Sequence, residues 1–282
     1  MCWYCEQYGD PEIGNGLWYL NPYNHARNMY KLRMPDEAFK GAQAVREGRQ
    51  TDISIANLID AIDEGDQEKY TRVQRALQAN MGEGGGGQVV PLEDSDKILE
   101  LCSPLGLMAC HCRKGVRAIE ERSELEMTCM GMGVGMLKWE RWPENYKGGV
   151  NFLNIEEAKE WNHKMDKKGF VHILMLFGAP FIGGFCQCDY TDCYAIRRAV
   201  DFGVGPIKSH YVAEVDYDLC NGCGMCAQRC QFGSLKIEIT TQKAYIDQFT
   251  CFGCGLCETG CSRGAIKLLD RTKIPALAEV WR

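Results

Sequence analysis

"CNGCGMCAQRC" at 220–230 and "CFGCGLCETGC" at 251–261 carry one pattern twice, Cys-x2-Cys-x2-Cys-x3-Cys, and each copy runs through a glycine into a short apolar stretch, "SLKIEI" or "AIKLL". Three thiols at consecutive x2 intervals are too dense for a zinc ribbon, which draws its ligands from two separated pairs. One tight loop of this kind presents three thiolates to three irons of a cubane, and the fourth Cys opens a helix directed toward a second one. The duplication predicts two [4Fe–4S] clusters near the C-terminus.

Composition agrees. The chain has 282 residues and 17 cysteines. The odd count argues against full disulfide pairing, and "MCWYCEQYGDPEIG" at the N-terminus lacks the basic region, apolar core and cleavage site of a signal peptide. The most apolar stretch, 170–185, is too short to span a bilayer and is interrupted by His172, Gly178 and Pro180. The expectation is a cytoplasmic protein whose cysteines bind metal. A net charge of −6 gives no electrostatic reason to expect nucleic acid. From residue 210 onward acids and bases balance at eight each, so this end lacks the acidic face with which small free carriers steer encounters. It reads as part of something larger.

Residues 212–270 resemble the bacterial two-cluster ferredoxins. The resemblance implies crossed ligation: Cys220, Cys223, Cys226 and the remote Cys261 for one cluster, Cys251, Cys254, Cys257 and Cys230 for the other. That family places Pro after each fourth Cys, where this chain has Gln231 and Ser262. Each adds a backbone N–H, and a donor reaching cluster sulfur raises the potential.

Nine cysteines remain: Cys2, Cys5, Cys102, Cys110, Cys112, Cys129, Cys186, Cys188 and Cys193. "CHCRKG" at 110–115 and "FCQCDYTDC" at 185–193 each hold a Cys-x-Cys, and loops at the ends of adjacent strands bring such motifs together. A third iron–sulfur cluster is the leading reading, with Cys110, Cys112 and Cys129 as ligands and the remainder drawn from Cys186, Cys188 and Cys193. Structural zinc and unligated core thiols stay open. Haem attachment is excluded by the absence of Cys-x-x-Cys-His. Residues 88–203 also resemble the cysteine-rich, Cys-x-Cys-Arg domain that precedes a two-cluster ferredoxin module in iron–sulfur proteins of anaerobes. A fourth cluster or separate metal would draw on Cys2, Cys5 and Cys102. His111 and Arg113 are candidate donors to a cluster, the alternative for Arg113 being a pair with a surface acid. The methionines of "CMGMGVGM" (129–136) would wall the cluster; the glycines there lack the strand–turn–helix setting of a dinucleotide loop.

The predicted fold class is α+β. An aromatic-rich irregular arm (1–35) packs on its own domain or docks on a partner. A helical region and Gly-rich linker (36–87) follows, with Ile55, Leu58, Ile59 and Ile62 on one helix face and a further helix over 66–80. Residues 88–209 read as a small cysteine-rich α/β domain: strands at "QVV", "LGLMAC" and 170–177, and helices over 93–102, 113–127, 156–168 and 192–202. Residues 210–282 are the two-cluster domain.

Three functions fit. The first is an electron-transfer protein or subunit relaying low-potential electrons to or from a larger oxidoreductase in anaerobic metabolism, in a hetero-oligomer. Tungsten-, molybdenum- or flavin-containing partners follow by family analogy. The second is an enzyme whose middle cluster keeps an open iron site near His111 or His163. The third is a structural or sensor module.

Overall fold

The computed structural model describes residues 55–80, 87–110, 112–113, 127–133, 150–176 and 182–282. The arm with Cys2 and Cys5, the first part (36–54) of the expected helical region, the glycine joint at 81–86, His111 and most of the helix read over 113–127 lie outside the described residues.

Two antiparallel helices come first, α1 (Ile55–Asp63) and α2 (Gln67–Asn80). The buried face of α1 is Leu58 and Ala61, whereas Ile59 and Ile62 are 46% and 55% exposed. This corrects the expected face: Leu58 packs with Val73 of α2 and with Val204, and that contact line selects the stripe i, i+3, i+6.

The middle of the chain supplies strands β1 (Gln88–Val90), β2 (Leu105–Met108), β3 (Cys129–Met132), β4 (Val150–Leu153), β5 (Val171–Leu176) and β6 (Ile182–Cys188). They form one six-stranded sheet in the order β1-β5-β6-β3-β2-β4. All its ladders are antiparallel, so the expected α/β unit is an antiparallel sheet with helices packed on it. The reason lies in the short link from β5 to β6, since a hairpin joins only antiparallel neighbours. Strands β3, β4 and β6 had not been read from the sequence: β3 and β4 are four residues long, too short for a clear alternation, and β6 opens on two glycines, Gly183 and Gly184, after Ile182.

Helices α3 (Leu92–Leu101) and α4 (Ile155–Lys167) pack against each other. Helix α4 opens on a capping box, with Glu157 N–H donating to Asn154 Oδ1 at 2.9 Å and Asn154 N–H to Glu157 Oε2 at 2.8 Å. Acids in its first turn and lysines in its last complement the helix dipole. Period-2 alternation divides the sheet into two faces. Met130, Met132, Leu105, Leu107 and Phe185 form the core with Leu99 and Ala158 of the two helices. Val171, Ile173, Cys186 and Cys188 join a second cluster that includes Phe232 and Cys254 from the C-terminal part of the chain. Between sheet and helices runs a buried polar chain: Gln187 Nε2 donates to Asn162 Oδ1 (2.8 Å), and Asn162 Nδ2 donates to Ser95 Oγ (2.6 Å) and Asp96 Oδ1 (2.7 Å).

Helix α5 (Tyr194–Phe202) stops at Gly203, which is left-handed at φ 65°. Gln74 and Gln78 of α2 donate to the Phe202 and Gly203 carbonyls at 2.6 and 2.8 Å, satisfying acceptors that a helix end leaves free. The C-terminal part has two small antiparallel sheets, β7 (Tyr211–Val215) with β10 (Ile266–Asp270) and β8 (Leu235–Ile237) with β9 (Ala244–Ile246), and short helices α6 (Met225–Arg229) and α7 (Leu256–Thr259). No helix among the described residues is long and apolar enough to cross a membrane.

Candidate functional site

Each cysteine motif begins as a loop and runs into a short helix that stops before the fourth Cys, with Cys230 the C-cap residue of α6 and Cys261 following the C-cap Gly260 of α7; the fourth Cys therefore closes a helix, which corrects the expectation that it opens one. Gly222 and Gly253 occupy equivalent places, one residue before the second Cys, at φ 71° and 66°. A Cβ on Gly222 would lie 1.8 Å from the Gln242 carbonyl oxygen, and on Gly253 2.0 Å from that of Tyr211. The duplicated glycine is therefore required twice over, by backbone conformation and by close approach.

The loops surround two hollows. One is lined by Cys220, Cys223, Cys226 and Cys261, the other by Cys230, Cys251, Cys254 and Cys257. These are the crossed sets implied by the ferredoxin resemblance. Backbone N–H groups point at three of the sulfurs: Ala244 to Cys220 (3.5 Å), Ala265 to Cys261 (3.4 Å) and Gly253 to Cys251 (3.4 Å). Burial pushes the thiols of Cys226, Cys251, Cys254 and Cys257 above the ordinary range, a cost that metal binding to the thiolates offsets. Four converging thiols and fixed amide donors in an apolar hollow fit a cubane. Cys223 is exposed, whereas Cys251 and Cys254 are buried, so the first hollow is the one nearer the surface.

Residues 213–236 match the 4Fe-4S binding domain family. The chain thus contains an iron–sulfur domain of ferredoxin type, and that domain binds at least one [4Fe–4S] cluster. No curated protein matches the chain.

A third group of thiols lies on the sheet face opposite α3 and α4. Cys129 and Cys186 are register partners across β3 and β6. Cys188 follows two residues later on the same face, Cys110 and Cys112 leave the end of β2, and Cys193 is the N-cap residue of α5. Cys110 contacts Cys112, Cys129 and Cys188; Cys129 also contacts Cys186, and Cys188 contacts Cys193. The hydrogen bonds Cys110 receives from Cys112, Cys129 and Cys188 hold its thiol well below the ordinary range. Bonding to Cys110, with burial, pushes Cys112, Cys129 and Cys188 up. Among the described residues no three His, Cys, Asp or Glu side chains take up the arrangement of a single-ion site. The donor set here is all thiol, with walls of Val171, Ile173, Met175 and Phe232, and soft sulfur donors suit iron–sulfur chemistry.

Arg113 is the buried cation of this site, at 1% exposure. Its guanidinium pairs with Asp192 at 2.9 Å and Asp189 at 3.2 Å, lies 3.5 Å from Cys188 Sγ and stacks over Phe170. Both expectations for Arg113 meet here: it donates toward a thiol and it pairs with acids, which are buried or half-buried rather than on the surface. Cys102, the C-cap residue of α3, packs with the helix-side core instead of the six thiols. Met130 and Met132 pack on that side too. This corrects their expected place as a wall of the cysteine site, because Cys129 is the strand residue that faces it. His163 hydrogen-bonds Asp96 on the helix side, at 2.6 Å.

Of the residues that join the two regions, Gln231 had been singled out for its backbone N–H alone, and Arg229 and Arg271 had not been singled out at all. Arg229, next to Cys230, donates to the carbonyls of Leu256 (2.7 Å), Asp166 (2.7 Å) and Lys167 (3.1 Å), to Thr259 Oγ1 and to the Asp166 carboxylate (both 3.3 Å). Gln231, on the other side of Cys230, accepts from Tyr190 N–H at 2.9 Å and donates to the Gly169 carbonyl at 3.1 Å. Buried Arg271 donates to the carbonyls of Ser209, Tyr211 and Cys251, stitching the connecting strand to the second motif. The signal for Gln231 was its place where the ferredoxin family has Pro.

Proposed function

We propose that the chain is a multi-cluster iron–sulfur electron-transfer protein or subunit that relays low-potential electrons to or from a larger oxidoreductase. Cys220, Cys223, Cys226 and Cys261 hold one cubane, and Cys251, Cys254, Cys257 and Cys230 a second. Cys110, Cys112 and Cys129, with one of Cys186, Cys188 and Cys193, hold a third.

One observation carries this reading: the three thiol groups are contiguous. Cys230 packs in the same apolar cluster as Cys226 and Cys220 and also in the cluster of Cys110, Cys186 and Cys188. The stacked rings of Phe232 and Phe252, 4.0 Å between centroids, belong to the latter cluster. Clusters, when bound, supply reversible one-electron transfer. The chain's residues hold the sites close together, exclude water from the inner ones and keep Cys223 at the surface for exchange with a partner. Tungsten-, molybdenum- or flavin-containing partners remain part of the proposal by family analogy alone, as does an anaerobic setting. Residues 88–209 and 210–282 act as the two working units, and Cys2, Cys5 and Cys102 are not needed for them.

The test is an anaerobic count of iron, acid-labile sulfide and zinc per chain. About twelve irons without zinc is the expected result for three cubanes. About eight irons with one zinc would assign the middle thiols to a structural ion and remove the third step of the relay.

A further inference from the structure

Beside the second hollow stands a buried cation that no described acid neutralises. Arg271, directly after β10, is fully buried. Its Nε donates to the Ser209 carbonyl (3.2 Å), its Nη1 to that of Val280 (3.3 Å), and its Nη2 to those of Tyr211 (3.1 Å) and Cys251 (2.6 Å). Its chain neighbour Asp270 pairs with Lys273 instead, at 3.3 Å. Two further arginines at the cysteine sites have aspartate partners, Asp192 and Asp189 for Arg113 and Asp166 for Arg229. A second buried cation adjoins Arg271. Lys208, next to Ser209, donates to the main-chain oxygens of Phe249 (2.7 Å) and Arg282 (2.6 Å) and lies 5.6 Å from the Phe252 ring centroid. Burial, with the charge of Arg271, pushes Lys208 down to about 8.

Hydrogen bonds to carbonyls satisfy the guanidinium N–H groups without cancelling their charge, and arginine does not shed its proton. Retaining a buried charge calls for an opposite one. The hollow supplies it: Cys251 and Phe252 both line it, and a cubane with its thiolates is anionic and gains one more negative charge on reduction. Resting on the reading of this hollow as a cubane site, we propose that Arg271 is the counter-charge of the second cluster, assisted by Lys208, and raises its reduction potential.

The two hollows differ in what a reduced cluster would meet. Cys223 brings the first to the surface, where water stabilises added negative charge, and the basic residue lining it, Arg263, is exposed. Burial withdraws water from the second, which by itself disfavours the more negative state. A fixed cation offsets that loss. Its attraction grows with the charge of the cluster, so it favours the reduced state over the oxidised one, and interior charges are far less screened than surface ones. The inner site thus holds an electron against a protein charge, where the outer site relies on solvent.

Redox titration of the anaerobic holoprotein, followed by electron paramagnetic resonance with iron counted in each sample, tests this. Arg271→Gln keeps N–H donors and removes the charge, whereas Arg271→Lys keeps the charge and loses the planar fork. R271Q should retain its iron and move one reduction step to lower potential while the others stay in place; R271K should stay near the parent, and K208M should move the same step the same way. Gly222→Ala, which should empty the first hollow, assigns that step, because the one that moves must survive in it. An unmoved potential in R271Q at full iron, an R271K shift as large as that of R271Q, or a moved step that disappears in G222A overturns the counter-charge. Where R271Q loses about four irons, K208M decides: a lowered step at full iron supports the proposal and an unmoved one overturns it. Fewer than about eight irons in the parent would instead overturn the reading of the hollow as a cubane site, before any variant is compared.

Discussion

Replacing Arg229 by methionine should loosen the joint between the two regions without touching a thiol. The side chain is only 18% exposed and its partner Asp166 only 5% exposed. The substitution removes five donor contacts, two of them at 2.7 Å, and leaves His172, 3.9 Å away, as the nearest basic group to the Asp166 carboxylate among the described residues. Breaking a buried ion pair costs about 3–5 kcal/mol, and the partial exposure of Arg229 argues for the lower end. About 3 kcal/mol corresponds to roughly a hundredfold in an equilibrium constant. How much appears in the unfolding rate depends on whether the contact forms before or after the folding transition state. The assay is anaerobic bleaching of the visible absorbance in a fixed guanidinium concentration, and R229M should bleach roughly 10- to 100-fold faster than the parent. Gln231 makes two neutral bonds, about 1 kcal/mol each, so Q231A should fall between the two proteins. Bleaching of R229M within twofold of the parent, or a larger effect from Q231A, would refute the view that Arg229 is the main clamp.

Gly222→Ala meets a backbone carbonyl at 1.8 Å from a position at φ 71°, and should lose about four irons per chain by elemental analysis. Gly233→Ala, at φ 69° with nothing within 4 Å, should cost only about 1–2 kcal/mol of conformational strain and keep its iron. Arg113→Met removes the guanidinium paired with buried Asp192 at 2.9 Å; a loss of about 3–5 kcal/mol should appear in anaerobic thermal unfolding, with Arg113→Lys intermediate because it lacks the planar fork. Gln231→Pro removes a backbone N–H beside Cys230 and should lower a cluster potential, whereas Q231A keeps that N–H and should leave it unchanged. Redox titrations giving Q231P an unchanged or higher potential would dismiss the role of that donor.

Legibility followed how local the cause was. The C-terminal hollows could be read because the thiol spacing and the glycine before each second Cys are local requirements, met twice. Strands β1, β2 and β5 and helices α3, α4 and α5 were readable from short apolar runs and their periodicity. Strand β3 was not: "CMGM" looks like a glycine loop until β2 and β6 pair with both its edges, and only that pairing shows that Cys129 and Met130 face opposite sides. The buried face of α1 depended on Val73 and Val204, distant in sequence. The Cys-x-Cys motifs pointed to a shared site, but that Cys129 and Cys186 stand side by side in it emerges only from the pairing of β3 with β6.

The two cysteine motifs are near copies, and their differences follow from which copy meets the middle region. The residue before the fourth Cys is Arg229 in the first and Gly260 in the second. A Cβ on Gly260 would lie 2.4 Å from Arg229 Cδ and 2.5 Å from Nε, and that Nε is held on the Leu256 carbonyl at 2.7 Å. The second copy thus gives up a side chain to let the first reach across it to Asp166. Gly260 itself sits at φ −86°, a conformation any residue accepts, so Gly260→Ala separates two effects of opposite sign. On backbone entropy alone alanine should stabilise by about 0.4–1 kcal/mol. If the space is kept for the Arg229 clamp, alanine should instead destabilise and speed anaerobic bleaching in the parent, and do so far less in an R229A background, where the colliding stem is gone and only the Leu256 carbonyl oxygen, 3.0 Å from the added Cβ, stays close. Slower bleaching of G260A in the parent would mean that Arg229 can yield at little cost, and that the difference between the copies has a cause other than docking.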